Sequence, residues 1–398
     1  MRIAVINGPN LNLLGTRRPD VYGTTSLTEL EALAAAWGRE LGVETSTYQS
    51  NHEGALIDRL HEARAAEDAV VINPGALTHT SYAIHDAIEA IGLPAAEVHI
   101  SNIKQREPWR RASVVAAACT TSIYGRGIEG YRWGLRHLVA RAAWPVETIR
   151  YGADDDQVGD LRIPDSAAAT HPVAVVLHGG FWRDEWKRDL MDRLSVDLTR
   201  RGWATWNIEY RRVGSGGGWT ATLDDVAAAI DVLGDFGVGH RLDLDRVVTI
   251  GHSAGGHLAL WAAGRPGLQA DAPGAGPQIR VTGAVSLAGV ASLEEAHTRD
   301  LGAGAVEAFM RRSPAHGDGR YRAADPMALL PTGVSTALVH GTADDAVPVD
   351  LSRVYAAAAT AAGDDCRMIE IPEGNHMDVI DPASDVWEEV TAAVAAVT

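Results

Sequence analysis

Lysine is almost missing from this chain. It occurs only at Lys104 and Lys187 among 398 residues, while arginine is plentiful. Schiff-base catalysis needs a lysine nucleophile, so that chemistry has few places to start. Cysteine is equally scarce. Cys119 and Cys366 stand far apart in unrelated contexts, which excludes a disulfide framework and the spacing of a thiolate metal site. They read as two packed thiols of a cytosolic protein. Excess positive charge is lacking too. The net charge is −17 and the sequence pI about 5.3. Such a surface repels nucleic acid and anionic membranes, and neither is expected as a partner. No apolar run is long enough to span a bilayer. No basic segment with a long apolar run precedes the first strand, so the cytoplasm is the expected compartment.

What is present is material for a large core. The chain is 46% hydrophobic and 22% charged, and its length suits two domains better than one. Apolar β-branched runs alternate with alanine-rich amphipathic stretches, which predicts α/β architecture. "IAVIN", "VETSTY", "AVVIN", "AAEVHI" and "TSIYG" read as five strands with helical crossovers, a doubly wound parallel sheet of the flavodoxin-like kind. The helix "YRWGLRHLVARA" closes this block. The segment "WPVETIRYGADDDQVGDLRIPDSAAATHP" is polar and aperiodic, and reads as a linker plus an irregular entry to a second domain. The boundary is placed near Val146, giving domains 1–145 and 146–398. A second alternation follows, with "VAVVLHGG", "WATWNIEYR", "RVVTIGHS", "VTGAVSLAG", "TALVHGT" and "CRMIEIP" as strands. "GSGGGW" at Gly214–Trp219 reads as a flexible loop, with a functional lid as the alternative.

Four blocks of the first half carry chemistry: "NGPNLNLLGTRRPDVYG", "QSNHEG", "INPGALTHTSYAIHDA" and "EVHISNIKQREPWRR". Taken alone, His79 could cap a helix and Tyr22 could simply pack. Glu97 and His99 alternate onto one side of a strand end, where ligands bind in open α/β sheets. In this order and spacing the blocks resemble the type II 3-dehydroquinate dehydratases over roughly residues 1–142. The resemblance implies removal of water from 3-dehydroquinate by anti elimination through an enolate, without metal or cofactor. It makes Tyr22 the base. An unperturbed tyrosine has a pKa near 10, and the resemblance assigns Arg17 to favour the phenolate. It makes His99 the acid and gives Asn10 a water or oxyanion near the enolate. Asn73, His79, Asp86, Ile100, Ser101 and Arg110 fall on substrate-binding positions, the arginine suiting the carboxylate. His52, His61, His85 and His137 match no required role. One departure is visible: Arg18 stands where the family commonly has glutamate. The resemblance further implies a homo-oligomer, a dodecamer in this family. "GRGIEG" (Gly125, Gly127, Gly130) follows the last strand of its domain rather than opening a βαβ unit, and is not read as a dinucleotide site.

In the second half, "VVTIGHSAGGHLALWAAG" runs from a strand through Ser253 into a helix. Small flanking residues permit the sharp turn of a nucleophile elbow. Asp344 in "HGTADDAVP" and His376 in "EGNHMD" follow in the Ser–Asp–His order of the α/β-hydrolase fold, with Asp345 a neighbouring candidate. "LHGGFW" supplies glycines for an oxyanion hole, with donors expected from Gly180 or Phe181 and from Ala254. Trp182, Trp186, Trp203, Trp206, Trp219 and Trp261 read as core or pocket wall. "HGG" before an aromatic pair resembles kynurenine formamidases and related carboxylesterases over about residues 150–398. The resemblance implies hydrolysis of an aryl formamide or small ester. An ester of quinate is a further option suggested by the fusion. A non-catalytic hydrolase-fold assembly module is the alternative. The partners expected are small-molecule substrates.

Overall fold

The computed structural model describes residues 1–398, which divide into two compact units, Met1–Ala143 and Trp144–Thr398. No helix is long and apolar enough to cross a membrane.

The first unit is built on β1 (Arg2–Asn7), β2 (Glu44–Gln49), β3 (Ala69–Asn73), β4 (Ala95–His99) and β5 (Thr121–Tyr124). Their order is β2-β1-β3-β4-β5, all parallel. This is the flavodoxin-like order, and the five strands are those expected. The central strands carry unbroken apolar runs because helices cover both faces. Val70, Val71 and Ile72 of β3 have no exposed surface. The helix Leu27–Glu40 begins with a reciprocal capping box between Ser26 and Glu29, which satisfies two otherwise unpaired N–H groups. The strand order switches direction at β1/β3, so the crevice for a ligand opens at the ends of β1, β3 and β4.

The second unit contains β6 (Glu147–Arg150), β7 (Val158–Arg162), β8 (His171–Leu177), β9 (Ala204–Ile208), β10 (Leu242–His252), β11 (Gly283–Leu287), β12 (Ser335–Gly341) and β13 (Cys366–Ile371). They form one mixed sheet in the order β13-β12-β11-β10-β8-β9-β7-β6, the strand order of an α/β hydrolase. The helix Ala254–Gly264 is buried along its whole length, which explains why its sequence is apolar on every face.

Two expectations need correction. The segment read as linker and irregular entry holds β6 and β7, an antiparallel pair in which β7 also pairs with β9. Charged residues in a buried strand hid it. Asp160 and Arg162 are both fully buried, and each is neutralised. Arg188 Nε lies 3.0 Å from Asp160 Oδ2, and Arg162 Nη2 lies 2.8 Å from Asp192 Oδ1. Buried charges persist only when paired in this way. The "GSGGGW" segment is a tied turn rather than an unanchored loop. The Gly217 N–H donates to Arg212 O at 2.8 Å and the Trp219 N–H to Phe309 O at 2.8 Å. Gly214, with φ of +102°, lies against the Asp184 carboxylate where a Cβ would clash.

Candidate active sites

In the first unit, one cavity collects residues from three of the four sequence blocks. Asn10, Arg17, Tyr22, Asn73, His79, His99, Ile100, Ser101 and Arg110 all line it. Local structure explains their placement. Asn10 adopts a left-handed conformation (φ 68°) as the chain leaves β1, and its N–H donates to Asn51 Oδ1 at 2.8 Å. Asn73 ends β3, and its Nδ2 donates to Tyr131 Oη at 2.9 Å. Tyr131 Oη in turn donates to Asn7 Oδ1 at 2.6 Å. The Asn73 amide is thereby fixed before any ligand arrives.

Tyr22 closes the short helix Pro19–Tyr22. The Arg17 guanidinium lies 5.3 Å from the centre of its ring, and Arg106 Nη1 lies 3.4 Å from its hydroxyl and 3.3 Å from Ser101 Oγ. The contact with Tyr22 raises Arg106 above the ordinary guanidinium value. Arg106 was not singled out from sequence. "KQREPWRR" offers several arginines, and spacing alone does not say which turns inward after the Ile103–Gln105 turn. Arg18 points away. It pairs at 3.0 Å with Asp20 on the exposed surface, and the Arg18 hydrogen bond holds the Asp20 carboxyl below its usual value.

His99 ends β4. Its Nε2 is 3.0 Å from Glu97 Oε1, and Glu97 is completely buried. Burial pushes Glu97 up, but His99 and hydroxyl donors from Thr78 and Ser122 outweigh it and hold the carboxyl at about 2. His79 Nδ1 sits 2.7 Å from Ala112 O, with its ring edge-on to Trp109. Burial lowers His79, keeping its neutral form favoured. The Arg110 guanidinium lies 4.0 Å from the Trp109 ring centre, with Nε 3.2 Å from Glu107.

Asp86 is not brought into this cavity. The helix Tyr82–Ile91 turns Ile84, Ala87, Ile88 and Ile91 into the core, so residue 86 faces outward and is exposed. Within its own chain its neighbours are His85 and Glu89.

In the second unit, β10 ends at His252 and Ser253 takes φ 56°, ψ −118° before the helix Ala254–Gly264. A non-glycine residue holds such a conformation only where its surroundings enforce it. The glycines do so. A Cβ on Gly251 would sit 1.9 Å from Gly255 O, and one on Gly255 would sit 2.2 Å from Leu177 O. These contacts are to backbone and cannot relax by rotamer change. Gly251→Ala is therefore expected to cost about 3 kcal/mol or more. A thermal melt should show the second unit's transition lowered by at least about 6 °C. An unchanged melt would mean the elbow is looser than drawn.

His376 Nδ1 lies 2.7 Å from Asp344 Oδ2, so the neighbouring Asp345 is not the partner. Asp344 Oδ1 accepts the N–H groups of Ala346 and Val347 at 2.9 and 2.8 Å, and His340 Nε2 is 3.2 Å from Oδ2. Partial burial works against the charge, but the His340 and His376 donors hold Asp344 well below the usual carboxylate range. The His376 ring lies 4.5 Å from the ring of His252, whose Nε2 is 2.9 Å from His376 O. Burial and the neighbouring His376 drive His252 down to about 3, so it stays uncharged. Ser253 and His376 form no direct hydrogen bond, a looseness common before substrate binds.

The loop Gly179–Trp182 packs on the elbow. A Cβ on Gly179 would meet Ser253 Cβ at 2.9 Å. Gly180, Phe181 and Trp182 have φ of 107°, 50° and 56°, a left-handed run that turns their N–H groups out of the strand. Ala254 opens the buried helix, where the first N–H groups have no intrahelical partner. Sequence reading missed what anchors this loop. The His178 ring stacks on Tyr210 at 4.3 Å and its Nε2 is 2.9 Å from Glu209 Oε1. Tyr210 Oη donates to His178 O at 2.7 Å.

One unit thus carries an acid–base cavity at parallel strand ends, and the other an α/β-hydrolase elbow. Residues 1–139 match the family described as class II dehydroquinase, and residues 160–358 the family described as BD-FAE. The chain belongs to both families, one in each unit. A catabolic 3-dehydroquinase of Neosartorya fischeri is 51% identical over 136 residues, covering 34% of this chain and 91% of that protein. A 3-dehydroquinate dehydratase of Pelotomaculum thermopropionicum is 52% identical over 142 residues, covering 36% and 99%. For the second unit, the structure of an esterase from Thermogutta terrifontis aligns with a TM-score of 0.52 and 21% identity, covering 63% of this chain and 92% of that one. That likeness concerns the fold.

Proposed function

We propose that the chain is a bifunctional enzyme. The first unit dehydrates 3-dehydroquinate and the second hydrolyses a small ester. The observation that carries the first assignment is the convergence of Tyr22, Arg17, Arg106 and the His99–Glu97 pair on one cavity. Tyr22 as phenolate takes the proton from C2, and electrons move to the C3 carbonyl oxygen to give an enolate. The two guanidinium groups facing the phenol stabilise negative charge on its oxygen. Asn10, on the cavity wall, would hold a water or the oxyanion. The enolate collapses, the C1–oxygen bond breaks, and His99 supplies the proton that releases water. The product is an enone, and Arg110 takes the substrate carboxylate. The purified full chain should convert 3-dehydroquinate to a species with enone absorbance. No absorbance change would overturn this half.

The second assignment rests on Asp344, His376 and Ser253 in fold order, beside a glycine loop packed on the serine. Ser253 Oγ attacks the carbonyl carbon and its proton passes to His376 Nε2. N–H groups of Gly180 or Phe181 and of Ala254 hold the oxyanion. The alcohol leaves with the proton from His376, and water then releases the acid by the same steps. Family membership and the Thermogutta esterase fold support an ester over a formamide. Phe181, packed against Gly302, and Trp186, packed against Gly180 of the glycine loop, would suit an aryl group. Comparing a caffeoyl-quinate ester, N-formylkynurenine and a simple aryl acetate on the intact chain separates these substrate classes. Turnover of the formamide above both esters would reverse the choice.

A further inference from the structure

Thr78, Ser113 and Ser122 lie 19, 16 and 25 residues from Glu97, in segments with no common pattern. The fold gathers all three around its carboxylate. Ser122 is the direct register partner of Glu97 across the β4–β5 pair, and its Oγ donates to Oε2 at 2.8 Å. Ser113 Oγ donates to Oε1 at 2.8 Å. Thr78, in the turn Gly75–His79, donates a short bond to the same oxygen. Ser113 Oγ accepts the N–H groups of Val115 and Ala116 at 3.1 and 2.9 Å, and lies 2.8 Å from Thr78 Oγ1 within the same cluster.

The donor inventory decides the protonation state. A carboxylate offers about four lone-pair positions and no hydrogen. Three hydroxyls and the His99 N–H supply four donors. Three of them reach Oε1 and one reaches Oε2; a protonated Glu97 would have to turn one hydroxyl into an acceptor and send its hydrogen elsewhere. Glu97 is fully buried, so that mismatch is costly. The arrangement favours the anion. An anion at that place fixes the Nε2 hydrogen of His99 toward it and leaves the other ring nitrogen to the cavity. The other titratable groups that sense Glu97 are His79 and the partly buried thiol of Cys119.

We propose that Thr78, Ser113 and Ser122 are positioning residues for the dehydration, holding Glu97 as an oriented anion so that His99 is presented to substrate as a proton donor. This rests on the reading of His99 as the acid. None of the three is among the residues lining the cavity, so their effect passes through Glu97 and His99.

The test uses the full chain with Ser122→Ala, Thr78→Val and the conservative Ser122→Thr and Thr78→Ser. Enone formation is followed from pH 4 to 9, giving separate kcat and KM profiles. A lost hydrogen bond to a charged group corresponds to about one pH unit. Glu97 should then take up a proton at higher pH. The Ala and Val variants are expected to lose about tenfold in kcat, to keep KM within about twofold, and to move the alkaline limb of kcat, which reports loss of the proton held by the His99–Glu97 pair, to lower pH by up to about one unit. The conservative variants should restore the original profile. A fall in kcat with an unmoved pH profile would make the hydroxyls merely structural and overturn the proposal. So would unchanged kinetics in both truncations. If Thr78→Val fails to fold, Ser122→Ala decides alone. His99→Gln keeps the two readings apart: retained dehydration there would remove the role of His99 itself.

Discussion

Tyr22→Phe is expected to reduce turnover of 3-dehydroquinate by at least about 10³-fold, within the range for removal of a positioned base, while ester hydrolysis keeps its rate. The phenol oxygen is the single atom lost. The aromatic ring under Arg17 remains, so the fold has no reason to change. Arg106→Ala should resemble it more closely than Arg18→Ala. Arg106 reaches the hydroxyl itself, at 3.4 Å, whereas Arg18 pairs with an exposed Asp20. That pair is solvent-exposed, so Arg18→Ala should leave dehydration nearly unchanged. Steady-state enone formation by the three variants distinguishes them. Full activity in Tyr22→Phe would remove the phenolate from the mechanism, and a larger loss at Arg18 than at Arg106 would reassign the cation.

Ser253→Ala is expected to lower ester hydrolysis by about 10⁶-fold, as for an elbow serine acting with its base, and to abolish labelling by a serine-directed phosphonate. Dehydration should continue. Asp344→Asn should cost about 10⁴-fold, because the wrong imidazole tautomer would face the serine. The order of the two losses matters. If Asp344→Asn were silent while Ser253→Ala was not, the serine would be activated by another group, and the tightly placed His252 would be the first to examine. Phosphonate labelling that persists in Ser253→Ala would place the nucleophile elsewhere. No labelling of the wild type would support the non-catalytic assembly module.

How much of this could be read in advance depended on where each signal resides. The β3 run "AVVIN" and the elbow "GHSAG" announce themselves because burial on both faces and a sharp backbone turn each demand particular residue types at adjacent positions. The β6–β7 pair gave no such signal. Its buried Asp160 and Arg162 look like surface residues until Arg188 and Asp192, far along the chain, are seen beside them. The same reasoning applies within the sites. Glu97 and His99 could be paired from strand alternation, a local rule. Thr78, Ser113 and Ser122 could not, since their meeting depends on three separate connections closing over one strand end. Arg106 was hidden among neighbouring arginines, and only the turn before it selects which one faces Tyr22. Asp86 is the converse case. Family position proposed it for the site, but the apolar face of its helix sets its direction outward within its own chain.

The most direct measurement follows both reactions on the intact chain, with 3-dehydroquinate and an aryl ester supplied in parallel to the wild type, Tyr22→Phe and Ser253→Ala. Two activities are expected in the wild type, with each variant losing one and retaining the other. Dehydration absent from the wild type, or ester turnover that persists in Ser253→Ala, would contradict the assignment of two independent catalytic centres to this chain.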